Sequence, residues 1–336
     1  MKALNHWQRI EAAIAGETTD HAPVALWRHF PDDDLCLEKL VAHTVDWQKK
    51  WDFDLVKFMP SGTYGVEDWG ATTGYRGAAN GAREVIRPAV LRTEDWARIR
   101  PLDVLAGSYG QQNRALAATA KALRGAAPLL QTVFSPLTTA RKLSTDRMLA
   151  DLRCSPDALH QALRVITDVT IEFALNALEA GADGVFFATQ LASNRILNAQ
   201  EYACFGKKYD LEVLNALRGR SRLNMLHAHG DDIMFDLLVD YPVEMFNWHD
   251  RLTKPSLSEA GAKFSRLLVG GLNEHGTLLH GWPEDIEREI HEALSHNEGR
   301  RLMIGPGCVL PVAIQDRSIQ AVVNAVRLPH RQLSYA

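Results

Sequence analysis

His227 and His229 stand two residues apart in the run Leu223–Gly230 (LNMLHAHG), and Cys308 closes the run Ile304–Cys308 (IGPGC). Side chains of an extended chain alternate between faces, so histidines spaced this way point in one direction and can grip one ion. Imidazole nitrogen and thiolate sulfur together suit zinc better than magnesium or calcium. Three such ligands with one position left open describe a catalytic zinc site, provided the two segment ends meet in space. Two other readings compete with it. The histidines are polar loop residues and the cysteine a small residue buried beside Gly307, or the histidines serve a metal-free site as general acid and base.

Four further groups carry chemistry-bearing side chains. Asn247-Trp248-His249-Asp250-Arg251 reads as a substrate-facing loop, with Asn247 and His249 as catalytic groups and Trp248 against the substrate; the further ligand is His249, Glu67 or a water. An exposed polar loop with Trp248 in the core is the alternative. Arg28 can fork onto a substrate carboxylate or phosphate, or pair with Asp32–Asp34. Gln190 and Asn194 can orient a polar substrate or fix their own loop. Tyr64, with Glu67 and Asp68 nearby, can line the mouth of a site. Lys57 is a charge inside an apolar run and points either toward the site or outward to a helix.

These residues need elements to position them. Runs rich in branched or large apolar residues read as buried strands at Ala22–Trp27, Leu55–Met59, Leu129–Phe134, Gly184–Thr189, Leu223–His227, Val243–Trp248, Leu267–Leu272 and Arg301–Ile304. Helical patterns lie between most of them: Leu35–Lys50, Ser155–Ala180, Ala199–Leu217, Asp231–Leu238, Pro283–Leu294 and Val312–Val326. Asp32–Asp34 suits the N-terminus of the first. Pro156 suits the first position of the second, and Gly181 its end. Strands alternating with helices imply a parallel sheet with right-handed crossovers, and eight units imply an α/β fold, a closed (β/α)8 TIM barrel. An open doubly wound sheet would show a glycine-rich phosphate loop after the first strand, and none follows Trp27. The expectation is one domain over residues 1–336. Residues 1–20 form a helical extension. The connection 60–128 makes a hairpin-like excursion and two helices over the barrel mouth. Active sites of this fold lie where strands end, so His227 and Cys308 open into one mouth.

Composition excludes several classes. The formal net charge is −4, so no basic field marks a nucleic-acid binder. No apolar run approaches the roughly 20 residues of a membrane span. The N-terminal pattern is amphipathic and not a signal peptide. The 4 cysteines are scattered without a CxxC, which is no disulfide framework, so a reducing cytoplasm is the expected location.

APVALWRH near the start, EAGADGVFFATQ at 179–190, LHAHG at 226–230 and GPGCVLPVAIQDRSIQAVVNAV at 305–326 resemble the uroporphyrinogen decarboxylase superfamily. The resemblance implies a (β/α)8 barrel. One branch is uroporphyrinogen decarboxylase itself, which uses no metal or organic cofactor. The other comprises zinc methyltransferases that move a methyl group from a corrinoid protein to a thiol, using a His-x-Cys pair and a later Cys as zinc ligands. His227 matches that histidine and Cys308 the later cysteine; His229 stands where the middle cysteine would be. The decarboxylase branch's arginine-rich first loop is reduced here to WRHFPDDD, with only Arg28 kept. Its catalytic aspartate has no match in KFMPSGTYG. The resemblance therefore implies a zinc-dependent methyltransferase-like enzyme with one zinc per chain, a small-molecule substrate and a methyl-corrinoid supplied by a partner protein. A decarboxylase or lyase acting on a carboxylated substrate is the alternative. A non-catalytic tetrapyrrole or corrinoid binder is the third reading.

Overall fold

The computed structural model describes residues 3–296 and 300–328. After the helix His6–Ala15 and the helix Leu37–Trp51 comes strand β1 (Val56–Phe58). The long connection that follows carries a short helix, Tyr64–Glu67, and a hairpin of β2 (Thr72–Gly74) and β3 (Glu84–Arg87). It continues through the 3-10 turn Thr93–Arg98 and the helix Gly107–Leu123. Then come β4 (Leu129–Phe134), β5 (Gly184–Thr189), β6 (Met225–Ala228), β7 (Met245–Trp248), β8 (Leu267–Leu272) and β9 (Leu302–Pro306). β1 and β4–β9 form one parallel sheet in the order β1-β4-β5-β6-β7-β8-β9.

The sheet closes through residues 22–28. This segment forms only isolated bridges, Val24 to Ile304 and Arg28 to Leu310, not the regular strand expected there. The cause is on its other edge. The Val24 N–H donates to the Asp54 carboxylate at 2.8 Å, and Val24 O accepts from the Asp54 N–H at 2.9 Å. A side chain thus takes the place of one ladder bond toward β1. The barrel expected from the sequence is present, with one of its eight staves irregular.

Local chemistry explains most boundaries. Pro156 opens the long helix Pro156–Glu179, and Gly181 follows it at φ +106°, a conformation glycine adopts without a Cβ clash. Asp32–Asp34 do not cap the second helix. They sit in a turn whose Asp33 and Asp34 N–H groups donate to Phe30 O, and the N-cap is Cys36. Between β5 and β6 the expected single helix is broken by a π-turn, Ala203–Lys207. The expected helix at 231–238 shrinks to Phe235–Leu238. Among the described residues no helix is long and apolar enough to cross a membrane.

Candidate metal centre

Parallel register places the first pair of interacting side chains. His227 on β6 lies opposite Asn247 on β7, and both side chains turn into the barrel. His227 Nδ1–H donates to Asn247 Oδ1 at 2.7 Å. Asn247 is itself fixed, because its Nδ2 donates to Val269 O at 2.9 Å and to Pro306 O at 3.0 Å. The imidazole is therefore held with Nε2 free, and Phe186 stacks on its face with ring centroids 5.3 Å apart. An outer partner that fixes tautomer and ring plane is the usual support of a metal-ligating histidine.

Three more donors converge on that Nε2. Cys308 Sγ lies 3.7 Å from His227 Nε2 and 3.5 Å from His229 Nδ1. His249 Nε2 lies 3.3 Å from His229 Nδ1. The four donor atoms all lie within 4.8 Å of one another. Gly307 permits the approach. A Cβ there would come within 2.9 Å of His249 Cα and 3.1 Å of Glu274 Oε2. Glu274 backs the fourth donor, with Oε1 3.3 Å from His249 Nδ1 and Oε2 accepting from the Gly307 N–H at 3.1 Å.

The electrostatics of the cluster favour a thiolate. Burial alone would raise the Cys308 thiol; His227 nearby, with hydrogen bonds from His227, His229 and His249, holds it well below the ordinary thiol range. Burial lowers His227. Burial also works against the charged form of His249, but Cys308 and Glu274 beside it push it up to about 10.

The cluster opens onto a cavity of about 290 Å³ at the C-terminal ends of the strands. Gln190 lines it, together with Lys57, Lys142, His29 and the tip of the β2–β3 hairpin at Asn80–Arg83. Arg83 anchors that tip by pairing with Asp34 at 2.9 Å and donating to Pro31 O at 2.8 Å. Burial lowers both Lys57 and Lys142 to about 7.

Other residues singled out in the sequence do not reach this cavity. Trp248 follows inward-facing Asn247 by one residue and so faces outward, fully buried against Phe235 and Phe246, with Nε1–H donating to Pro255 O. Tyr64 is buried among Tyr109, Phe134 and Phe173 and donates to Thr132 O at 2.8 Å. Asn194 borders a separate surface depression and bonds Asp232. Arg28 pairs with none of Asp32–Asp34. Its guanidinium faces the rings of Phe30 and Trp47 and donates to Val312 O at 3.2 Å. Asn247 is enclosed and bonded at both ends, and one of those bonds holds His227. Glu274 and Lys142 carried no signal in the sequence; each lies in a loop or helix where its type is ordinary.

A family model described as uroporphyrinogen decarboxylase (URO-D) matches residues 38–328. In fold the chain is similar to a methyltransferase from Methanosarcina mazei, with a TM-score of 0.84 at 20% identity, covering 96% of this chain and 98% of that one. It is also similar to a B12-independent methionine synthase from Shewanella sp. W3-18-1, solved in complex with selenomethionine. There the TM-score is 0.57 at 13% identity, with 91% of each chain covered. No curated protein matches the sequence. At these identities the structural likenesses establish the fold.

Proposed function

The chain belongs to the uroporphyrinogen decarboxylase family, and within it we propose a zinc-dependent, methyltransferase-like enzyme that activates a thiol at the barrel mouth. The donor spacing carries this reading. Zinc bonds of about 2.0–2.1 Å to nitrogen and 2.3 Å to sulfur, set tetrahedrally, separate neighbouring donors by about 3.3–3.6 Å. Three of the six donor pairs in the cluster lie at 3.3, 3.5 and 3.7 Å, and all lie within 4.8 Å, before any ion is added. His227, His229 and Cys308 would hold the metal, and His249 lies in reach as a fourth donor. Fold similarity to a methyltransferase and a family made of enzymes support the same reading.

Zinc bound there supplies a Lewis acid that favours the thiolate form of a coordinated thiol. The chain's own residues do the rest. Asn247 keeps His227 Nε2 aimed at the donor cluster, and Glu274 steadies His249. Gln190 orients the substrate from the rim, and the hairpin tip held by Arg83 shields it from water. The methyl donor would be a corrinoid carried by a partner protein. Having one thiolate among the three ligands that would hold the metal leaves a bound dication less neutralised than two thiolates would, which suits substrates that bring their own negative charge.

The cavity disfavours a uroporphyrinogen-type substrate. A tetrapyrrole with eight carboxylates needs many cations, whereas Arg83 is already committed to Asp34 and only two lysines remain on the lining. Elemental analysis of protein purified without chelators tests the proposal. About one zinc per chain is expected, with loss of metal in His227→Ala and Cys308→Ala. Absence of zinc, or full retention in both variants, would overturn it. A second arm mixes the protein with free methylcobalamin and a thiol and follows demethylation in the visible spectrum.

A further inference from the structure

Lys57 and Lys142 face the same cavity without a carboxylate beside them; the anionic group on that lining that acts on Lys57 is Cys308, which the metal would claim. Lys57 Nζ lies 2.7 Å from Met59 Sδ, 4.0 Å from the Phe186 ring centroid and 5.6 Å from that of Trp27. A thioether is a weak acceptor, and aromatic faces stabilise a cation without neutralising it. Lys142 Nζ donates to Gly62 O at 2.6 Å and sits 3.2 Å from the Phe134 ring centroid. Among the described residues no Asp or Glu lines this cavity. Two more buried atoms on its wall lack hydrogen-bond partners, Trp27 Nε1 and His29 Nδ1.

A buried charge without a partner is costly, and a fold retains one where an arriving group compensates it. Lys57 comes from β1 and Lys142 from the helix Pro136–Ser144 that follows β4, so both stand on the arc of the barrel away from β7 and its His249. We infer that these two ammonium groups form an anion subsite, which holds the carboxylate of a small substrate whose other end reaches the His/Cys cluster. Only the identity of that other end, a thiol, rests on the proposed function. Burial favours the neutral form of each lysine, and an anion between them restores the charged form. The same field rejects cationic ligands.

Two titrations test the subsite. Cobalt-loaded protein is titrated with 3-mercaptopropionate, 2-mercaptoethanol and cysteamine, reading the thiolate-to-cobalt charge-transfer band. Metal-free protein is titrated with butyrate, butyramide and propylphosphate by calorimetry. The anionic thiol should bind at least about tenfold tighter than the neutral one, with cysteamine weakest. Lys57→Met and Lys142→Met should each compress the three affinities toward one another. Butyrate should bind better than butyramide and better than propylphosphate. Equal affinities for the three thiols, or a preference unchanged in both variants, would overturn the subsite. Tighter binding of propylphosphate would overturn the carboxylate assignment. If no thiol perturbs cobalt, the thiol reading of the metal centre fails, and the metal-free titrations alone decide the subsite.

Discussion

Two buried polar networks sit at opposite ends of this barrel, and they are built on opposite terms. At the N-terminal end Arg9 donates to both oxygens of Asp20 at 2.8 Å and to Asp54 at 2.5 Å. Asp54 also receives His6 at 2.8 Å and the Val24 N–H at 2.8 Å. Each charge there meets an opposite charge, and hydrogen bonds from Arg9 hold Asp20 far below the usual carboxylate range. At the mouth, Trp27 Nε1, His29 Nδ1, His249 Nδ1 and Glu274 Oε1 have no aligned hydrogen bond, and two lysines have no carboxylate beside them. The first network ties an N-terminal helix to the irregular stave of the barrel. The second leaves bonding capacity for something that comes from outside.

The contrast breaks most visibly through Asp54. Asp54→Asn removes a buried charge shared by Arg9 and His6 and should cost about 3–5 kcal/mol in denaturant unfolding. Zinc stoichiometry of the folded protein should stay the same; loss of metal alongside stability would erase the distinction between the ends. Glu274→Gln is the matching change at the mouth. It keeps an acceptor for the Gly307 N–H but takes the carboxylate from His249. Zinc affinity should fall roughly 10–100-fold in a chelator competition, while the unfolding free energy of metal-free protein barely moves. A third, smaller effect separates function from stability at one residue. Lys57 keeps its proton in the unfolded chain up to a pKa of about 10.4, but in the folded chain only up to about 7. Between those values the unfolded state holds more protons, so stability should rise with pH across that window. Lys57→Met should flatten this rise and gain about 1 kcal/mol at pH 7. A steeper slope in the variant would mean that the buried ammonium is paired after all.

Period-two alternation made much of the site legible in the sequence, and it also exposes where the reading stopped short. It put His227 and His229 on one face, and the same rule sends Trp248 outward once Asn247 faces in. Apolar runs located β4, β5 and β8 to the residue, because fully buried parallel strands are continuous in sequence. The first stave carried the same signal, yet it bonds a carboxylate side chain that lies outside its own run. Which loops meet is a property of closure. His249 and Glu274 reach Cys308 only because β7, β8 and β9 stand side by side. Lys57 was visible as a misplaced charge. Lys142 was not, since a lysine in a helix is unremarkable until the other side of the barrel is known.

His227 and Cys308 are separated by 81 positions along the chain, yet their donor atoms lie 3.7 Å apart. An ion held by both would act as a clasp across the last four strands of the sheet. Half-formed barrels, lacking β9, would offer histidines without the thiolate and lower affinity. Metal uptake during refolding would therefore be a late event, and its rate would report the docking of the final strand against its neighbour. Ligand binding would also draw the population toward the closed barrel, so the ion that serves chemistry would double as a long-range fastener.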